Sequence, residues 1–158
     1  MKNFDVVAKT EFRFLVSDYN FKLIKCKKEN WGYELIYLNN VVGVKITYEY
    51  RESYIFIMLY KLIAGELVEN PLYIKTDSTL YGYGLDDIVN LRNPLDLIKP
   101  AHQYDANSIY HDKNEGLTSY VAAFANNLKK HANDLLSGDF KLFKELDKVI
   151  KERVKKYQ

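Results

Sequence analysis

The sequence YELIYLNNVVGVKITYEY at residues 33–50 is typical of a β-hairpin. In its second half the apolar residues at positions 42, 44, 46, 48 and 50 alternate with glycine and polar residues, which is the period of a strand with one buried face. The pair Asn39-Asn40 separates the two halves, and asparagine tolerates the positive φ angles that a tight turn requires. We therefore predict two antiparallel strands joined by a short turn.

Further strands are predicted on both sides of this hairpin. Residues 21–26 form a first strand, and residues 54–60 form another after the polar turn at 51–53. The run 54–60 is apolar on both faces, which is typical of a central strand that is covered on both sides. Residues 72–74, which follow Pro71, are predicted to form a short edge strand. An antiparallel meander of about four or five strands results.

Helices are predicted at both ends of the chain. Apolar residues recur at helical spacing over 4–18, and Asn20 is a suitable stop. Residues 81–84 are interpreted as a flexible turn before a short helix, whose first turn contains Asp86 and Asp87. Two closing helices are divided at Gly138-Asp139, where the short break predicts an antiparallel helical hairpin.

The predicted fold class is α+β. It combines the antiparallel β-meander with an N-terminal helix and a C-terminal helical hairpin, in a single domain spanning residues 1–158. The chain is 47% hydrophobic and 28% charged, as in ordinary globular domains, and its net charge of +2 creates no global field to attract nucleic acid or an anionic membrane.

The absence of a recognisable targeting signal and the low cysteine content favour a cytoplasmic protein. The N-terminal apolar run Val6-Val7-Ala8 is too short for a secretory signal, and no stretch approaches the roughly 20 residues that span a bilayer. We therefore expect no membrane interaction. Cys26 is the only cysteine, which excludes an intrachain disulfide and a zinc site built from several cysteines.

The aperiodic segment 99–116 contains the residues that favour metal chemistry. His102, Asp105, His111 and Asp112 could in principle bind a divalent ion, as in a metal-dependent hydrolase. A solvated polar loop is the simpler interpretation, and we predict no metal or other cofactor. The sequence contains no phosphate-binding loop and no nucleophile elbow, so we name no catalytic residue and favour a non-enzymatic protein.

The last helix raises the alternative of weak nucleic-acid binding. From Asp139 onward the chain has seven basic and four acidic residues. The acids precede lysines by four residues at 147/151 and 152/156, a spacing that pairs opposite charges on a helix surface. A largely neutralised face does not favour binding to phosphates, and we do not expect nucleic acid to be the partner.

Two of the fourteen tyrosines lie in the long loop, whereas strand propensity and core packing account for most of the others. Tyrosine offers a large rigid contact area with a polar tip and is enriched at binding hot spots. Acidic residues near it suit a basic partner. The predicted interface with a protein partner consists of Tyr104, Asp105, Tyr110, Asp112 and Glu115.

Residues 12–60 resemble small bacterial immunity-type proteins that are encoded beside polymorphic toxins. The resemblance is carried by Phe14-Leu15, Asp18-Tyr19-Asn20-Phe21-Lys22, Tyr33 with Tyr37, Val44-Lys45-Ile46-Thr47-Tyr48 and Tyr54-Ile55-Phe56-Ile57. It implies an α+β domain that binds and blocks a toxin, and it assigns no catalytic residue.

Overall fold

A computed structural model describes residues 3–157 of the chain. Five antiparallel strands form one sheet in the order β1-β2-β3-β4-β5. The strands are β1 (Lys22–Glu29), β2 (Gly32–Leu38), β3 (Val42–Glu49), β4 (Tyr54–Lys61) and β5 (Gly82–Gly84). The predicted α+β class and antiparallel meander are therefore confirmed.

In the part of the chain that the structure describes, six α-helices and three short 3-10 turns accompany the sheet. The helices are α1 (Phe4–Glu11), α2 (Arg13–Tyr19), α3 (Leu85–Arg92), α4 (Gly116–His131), α5 (Asn133–Leu136) and α6 (Phe143–Lys156). The 3-10 turns are Pro94–Asp96, Ala101–Gln103 and Ile109–His111. Within residues 3–157, no helix has the length and apolar character needed to span a membrane.

The core lies on one face of the sheet. Strand residues Leu35, Ile46 and Leu59 are fully buried there, in one cluster with Leu15 of α2 and Leu128 of α4. Burial of each such side chain contributes about 1.5–3 kcal/mol. The alternation seen in the sequence of β3 therefore marks the face that packs against the helices.

The prediction that β4 is covered on both faces is wrong for part of its length. Ile55 and Ile57 are buried in the core, but Phe56 between them is 39% exposed on the opposite face. Toward the end of the strand that face is buried, and the Tyr60 hydroxyl donates to Glu69 at 2.7 Å. The apolar run of β4 is therefore explained by one face that packs in the core and by the last part of the other face, which is also buried.

The predicted edge strand at residues 72–74 is also wrong. Leu72 and Tyr73 are 88% and 80% exposed, and residues 82–84 form the fifth strand instead. A Cβ atom on Gly82 would lie 2.4 Å from the Tyr60 ring, so only glycine lets β5 approach β4 this closely. Gly82, one of the two glycines that favoured a flexible turn, is therefore required by the strand pairing.

The N-terminal half follows the prediction with two local differences. The predicted helix over 4–18 is divided at Phe12, and the stop at Asn20 is confirmed by its left-handed backbone (φ 60°). The Asn39-Asn40 hairpin is present, but neither asparagine has a positive φ. The Asn39 side chain instead accepts hydrogen bonds from the backbone N–H groups of Val41 (2.9 Å) and Val42 (2.7 Å).

The predicted C-terminal helices are present, with a longer connection between them than the two-residue break. Gly138 has a positive φ, as its stop role requires, and α6 begins at Phe143. The Phe143 ring packs edge-on against Tyr83 at 4.7 Å, and the Tyr83 hydroxyl donates to Asp147 at 2.9 Å. Helix α6 is therefore fixed beside β5.

Candidate functional site

The predicted interface tyrosines pack into the protein and hold the 99–116 loop in place. The Tyr104 ring meets Tyr110 edge to face at 4.9 Å, and Tyr110 meets Tyr120 of α4 in the same way at 5.0 Å. Such edge-to-face pairs are favourable beyond the area they bury. Tyr104 and Tyr110 are accordingly half-buried against the core.

This stacking continues from the loop to the sheet. Tyr120 contacts Phe124 at 5.1 Å, Phe124 contacts Tyr54 at 5.4 Å, and Tyr54 contacts Phe56 at 4.8 Å. We call the six rings the aromatic ladder: Tyr104, Tyr110, Tyr120, Phe124, Tyr54 and Phe56. It connects the loop through α4 to the start of β4, so the position of the loop is fixed relative to the sheet.

Hydrogen bonds reinforce the beginning of the loop. The buried Tyr120 hydroxyl donates to the carbonyl of Lys99 at 2.7 Å and lies 3.2 Å from the carbonyl of Ser53. The Ala101 N–H donates to the same Ser53 carbonyl at 2.8 Å. Burial raises the pKa of Tyr120, so its hydroxyl stays protonated and available as a donor.

The surface of the loop is formed by other side chains. Ile109 is 58% exposed, and Asp105, Asp112 and Glu115 are exposed as well. Asp112 also stabilises the turn that follows it, because its carboxylate accepts hydrogen bonds from the N–H groups of Asn114 (3.0 Å) and Glu115 (2.8 Å). Of the five predicted interface residues, the two tyrosines pack inward and the three acids lie at the surface.

The loop does not bring together the four residues predicted as a metal site. His111 Nε2 lies 3.1 Å from the carbonyl oxygen of Tyr104, and Asp112 serves the turn described above. Over residues 3–157, no group of three or more His, Cys, Asp or Glu side chains is placed to hold a metal ion. The geometry therefore gives the metal-dependent hydrolase no support.

An open groove of about 440 Å³ borders the loop at Lys99. It lies between α3, the start of β4 and residues 97–100, and Arg153 of α6 closes one side. The Arg153 guanidinium contacts Asp87 at 2.6 Å. In the groove, the surrounding protein and the negative charge of Asp87 raise the pKa of Asp86.

The groove is a shallow surface feature. The apolar cavity beneath it, which reaches Phe124 and Asn127, has a volume of about 10 Å³, room for about one water molecule. Above it, the Lys99 ammonium lies 4.8 Å from the centre of the Tyr104 ring. Because Lys99 belongs to both, the groove and the loop form one continuous surface.

Sequence reasoning missed the residues that organise this surface. The helical pattern places Phe124 on the buried face of α4, and the i, i+4 spacing could have placed Tyr120 on the same face. No local pattern indicates the ion pair of Asp87 with Arg153, because its members are 66 residues apart.

The last helix uses part of its positive charge within the protein. Besides the ion pair of Arg153, the Lys151 ammonium donates to the Ser78 carbonyl and lies 3.7 Å from Asp147. These groups tie α6 to the segment before β5 and to α3.

Comparison of the chain with protein-family models, with curated proteins and with solved structures finds no match.

Proposed function

We propose that this chain is a non-enzymatic, cytoplasmic protein-binding module of the immunity type, which inhibits a cognate toxin by covering its active site. The observation that carries the proposal is the 99–116 loop. It is held by the aromatic ladder and still exposes Ile109 with three carboxylates. The resemblance of residues 12–60 to immunity-type proteins supports the same function.

The order of the loop matters for binding. Fixing the backbone of a flexible residue costs about 1–2 kcal/mol, and a loop that is ordered in advance avoids this cost when a partner binds. Long connecting segments are uncommon in small domains and usually serve a function. A loop of this length that the protein fixes through buried tyrosines is therefore well suited to be a recognition surface.

The side chains on the loop indicate the chemistry of the partner. Asp105 and Glu115 are exposed carboxylates, and Ile109 is an exposed apolar residue between them in the chain. A basic protein surface with an apolar hollow would complement them. We expect Ile109 to be the central contact and the acids to set the orientation and the rate of association.

The test uses the protein encoded beside this chain as the candidate partner. Co-expression should yield a one-to-one complex, and titration calorimetry should measure its affinity. The double variant Ile109→Asp/Asp105→Arg should weaken binding by at least about 2 kcal/mol. These residues are preferable to Tyr104 and Tyr110, whose replacement would disturb folding as well as binding.

A matched control is available on α2, where Val16 and Asp18 are also exposed. The variant Val16→Asp/Asp18→Arg makes the same chemical changes away from the loop and should bind as tightly as the unmodified protein. Failure to form a complex, or an equal loss of affinity in both variants, would contradict the proposal.

A further inference from the structure

Strand β1 forms one edge of the sheet and, among the described residues, pairs only with β2. Most of its residues are exposed, and its outer edge receives no backbone hydrogen bond from any part of residues 3–157. Such an edge presents alternating N–H and C=O groups on which another strand can pair. β1 has eight residues, which is long enough for an extended segment to pair along it.

The edge is strongly basic. β1 contains Lys22, Lys25, Lys27 and Lys28 and only one acid, Glu29. Two of these lysines form exposed ion pairs, Lys25 with Glu34 at 3.3 Å and Lys27 with Glu29 at 3.1 Å. Exposed pairs of this kind are weak, so carboxylates of a partner can compete for the ammonium groups.

Apolar side chains lie at the same edge. Ile24, at the irregularity in the β1–β2 register, is 57% exposed, and Trp31 in the following turn is 43% exposed. A strand added along β1 would cover part of the Ile24 side chain. Charge and exposed apolar area thus occur together along the unpaired edge.

We propose that β1 binds an acidic, extended segment of a protein partner, which adds to the sheet as a sixth strand. Lys25 and Lys27 lie opposite Ile36 and Glu34 in the register and therefore share one face of the sheet. A segment with a carboxylate at every second position would place its acids beside these lysines. This proposal does not depend on the 99–116 loop.

Two other occupants fit the edge less well. In a second copy of the chain, pairing of β1 with β1 would bring lysine rows together, and like charges in facing positions are destabilising. A nucleic-acid backbone offers acceptors to the lysines but no donors for the β1 carbonyl groups. An acidic peptide satisfies the side-chain charges and both kinds of backbone group.

The probe is a capped eight-residue peptide of alternating glutamate and threonine, with a lysine-threonine peptide of equal length as its counterpart. The glutamate peptide should bind with a dissociation constant at or below about 1 mM, and the lysine peptide should not. Hydrogen exchange should show new protection of β1 amides. Alkylation of the exposed Cys26, the single cysteine of the chain, should become slower when the peptide is bound.

Charge-neutral variants locate the binding site. Lys25→Gln/Lys27→Gln should weaken binding by about tenfold, whereas the control Lys144→Gln/Lys148→Gln on the exposed surface of α6 should leave it unchanged. Circular dichroism confirms that both variants are folded. The proposal is overturned if the glutamate peptide does not bind, if both peptides bind equally, if β1 amides gain no protection, or if a thymidine oligonucleotide displaces the peptide.

Discussion

Two long irregular segments connect elements of the fold, one between β4 and β5 and one between α3 and α4, and the protein holds them by different means. The segment before α4 is held by rings: Tyr104, Tyr110 and Tyr120 stack in sequence, and the last of these is fully buried. The segment before β5 is held by polar side chains.

Glu69 and Asn70 are the polar anchors of that second segment. The Asn70 side chain accepts from the N–H groups of Tyr81 (2.7 Å) and Gly82 (3.2 Å) and donates to the Gly82 carbonyl at 2.8 Å. Glu69 accepts from Lys45 at 2.8 Å as well as from Tyr60. Beyond these anchors Leu72 and Tyr73 extend into solvent. Rings hold the one loop through its middle, whereas the polar anchors of the other segment leave Leu72 and Tyr73 exposed.

The largest effect is expected at Tyr120, the ring through which α4 contacts the loop. Tyr120→Ala removes contacts with Tyr110 and Phe124 and leaves a cavity, which should lower the free energy of unfolding by about 3–5 kcal/mol in urea denaturation. Tyr120→Phe keeps the ring and loses the hydroxyl that donates to Lys99, so it should cost about 1–3 kcal/mol. If both variants lose the same amount, the hydroxyl and not the ring orders the loop.

Removal of the main polar anchor should have an intermediate effect. Asn70→Ala leaves the Tyr81 and Gly82 backbone groups without their side-chain partner and should cost about 1–3 kcal/mol of unfolding free energy. In this variant, hydrogen exchange of the β5 amides should be faster than in the unmodified protein. Asn107→Ala, at an exposed asparagine of the other segment, is the control and should be neutral. Equal losses in the two variants would contradict the role of Asn70 as an anchor.

The second anchor makes stability depend on pH. Partial burial raises the pKa of Glu69, but the hydrogen bonds from Lys45 and Tyr60 outweigh it and lower the pKa overall. Because the pKa is lower in the folded state, the stabilisation is complete above the unfolded value of about 4.3 and is lost as pH falls through the folded value.

Replacement of this carboxylate tests that dependence. Since Glu69 is half exposed, Glu69→Gln should cost at most about 1 kcal/mol at pH 7. The difference from the unmodified protein should shrink as pH falls below 4, as measured by urea denaturation at each pH. A difference that stays constant down to pH 3 would show that the charge of Glu69 does not stabilise the fold.

The sequence predicted the elements whose pattern is local. Alternation in β3 and helical spacing at both ends gave the meander, the N-terminal helix and the closing helices. The fifth strand was missed because Gly82 and Gly84 carry no side chain to alternate. The need for glycine at position 82 depends on the ring of Tyr60, over twenty residues earlier in the chain.

The candidate site was predicted in composition but not in orientation. The sequence placed Tyr104, Tyr110 and three acids in one loop, and their location is as expected. That the rings turn inward depends on the position of Tyr120, which only the packing of α4 determines. Contacts between residues that are far apart in the chain, such as Asp87 with Arg153, cannot be predicted from the local spacing of residue types.

The smallest effect is expected at the exposed tip between the anchors and β5. Leu72 and Tyr73 bury little area, so Leu72→Ser/Tyr73→Ser should change the free energy of unfolding by less than about 0.5 kcal/mol in urea denaturation. The same exchange at Ile57 and Tyr83 in the core should be severely destabilising and provides the reference. A loss above about 1 kcal/mol in the tip variant would mean that the tip packs on the protein in solution. The segment before β5 would then be as well ordered as the 99–116 loop, and the difference between polar anchors and stacked rings would not hold.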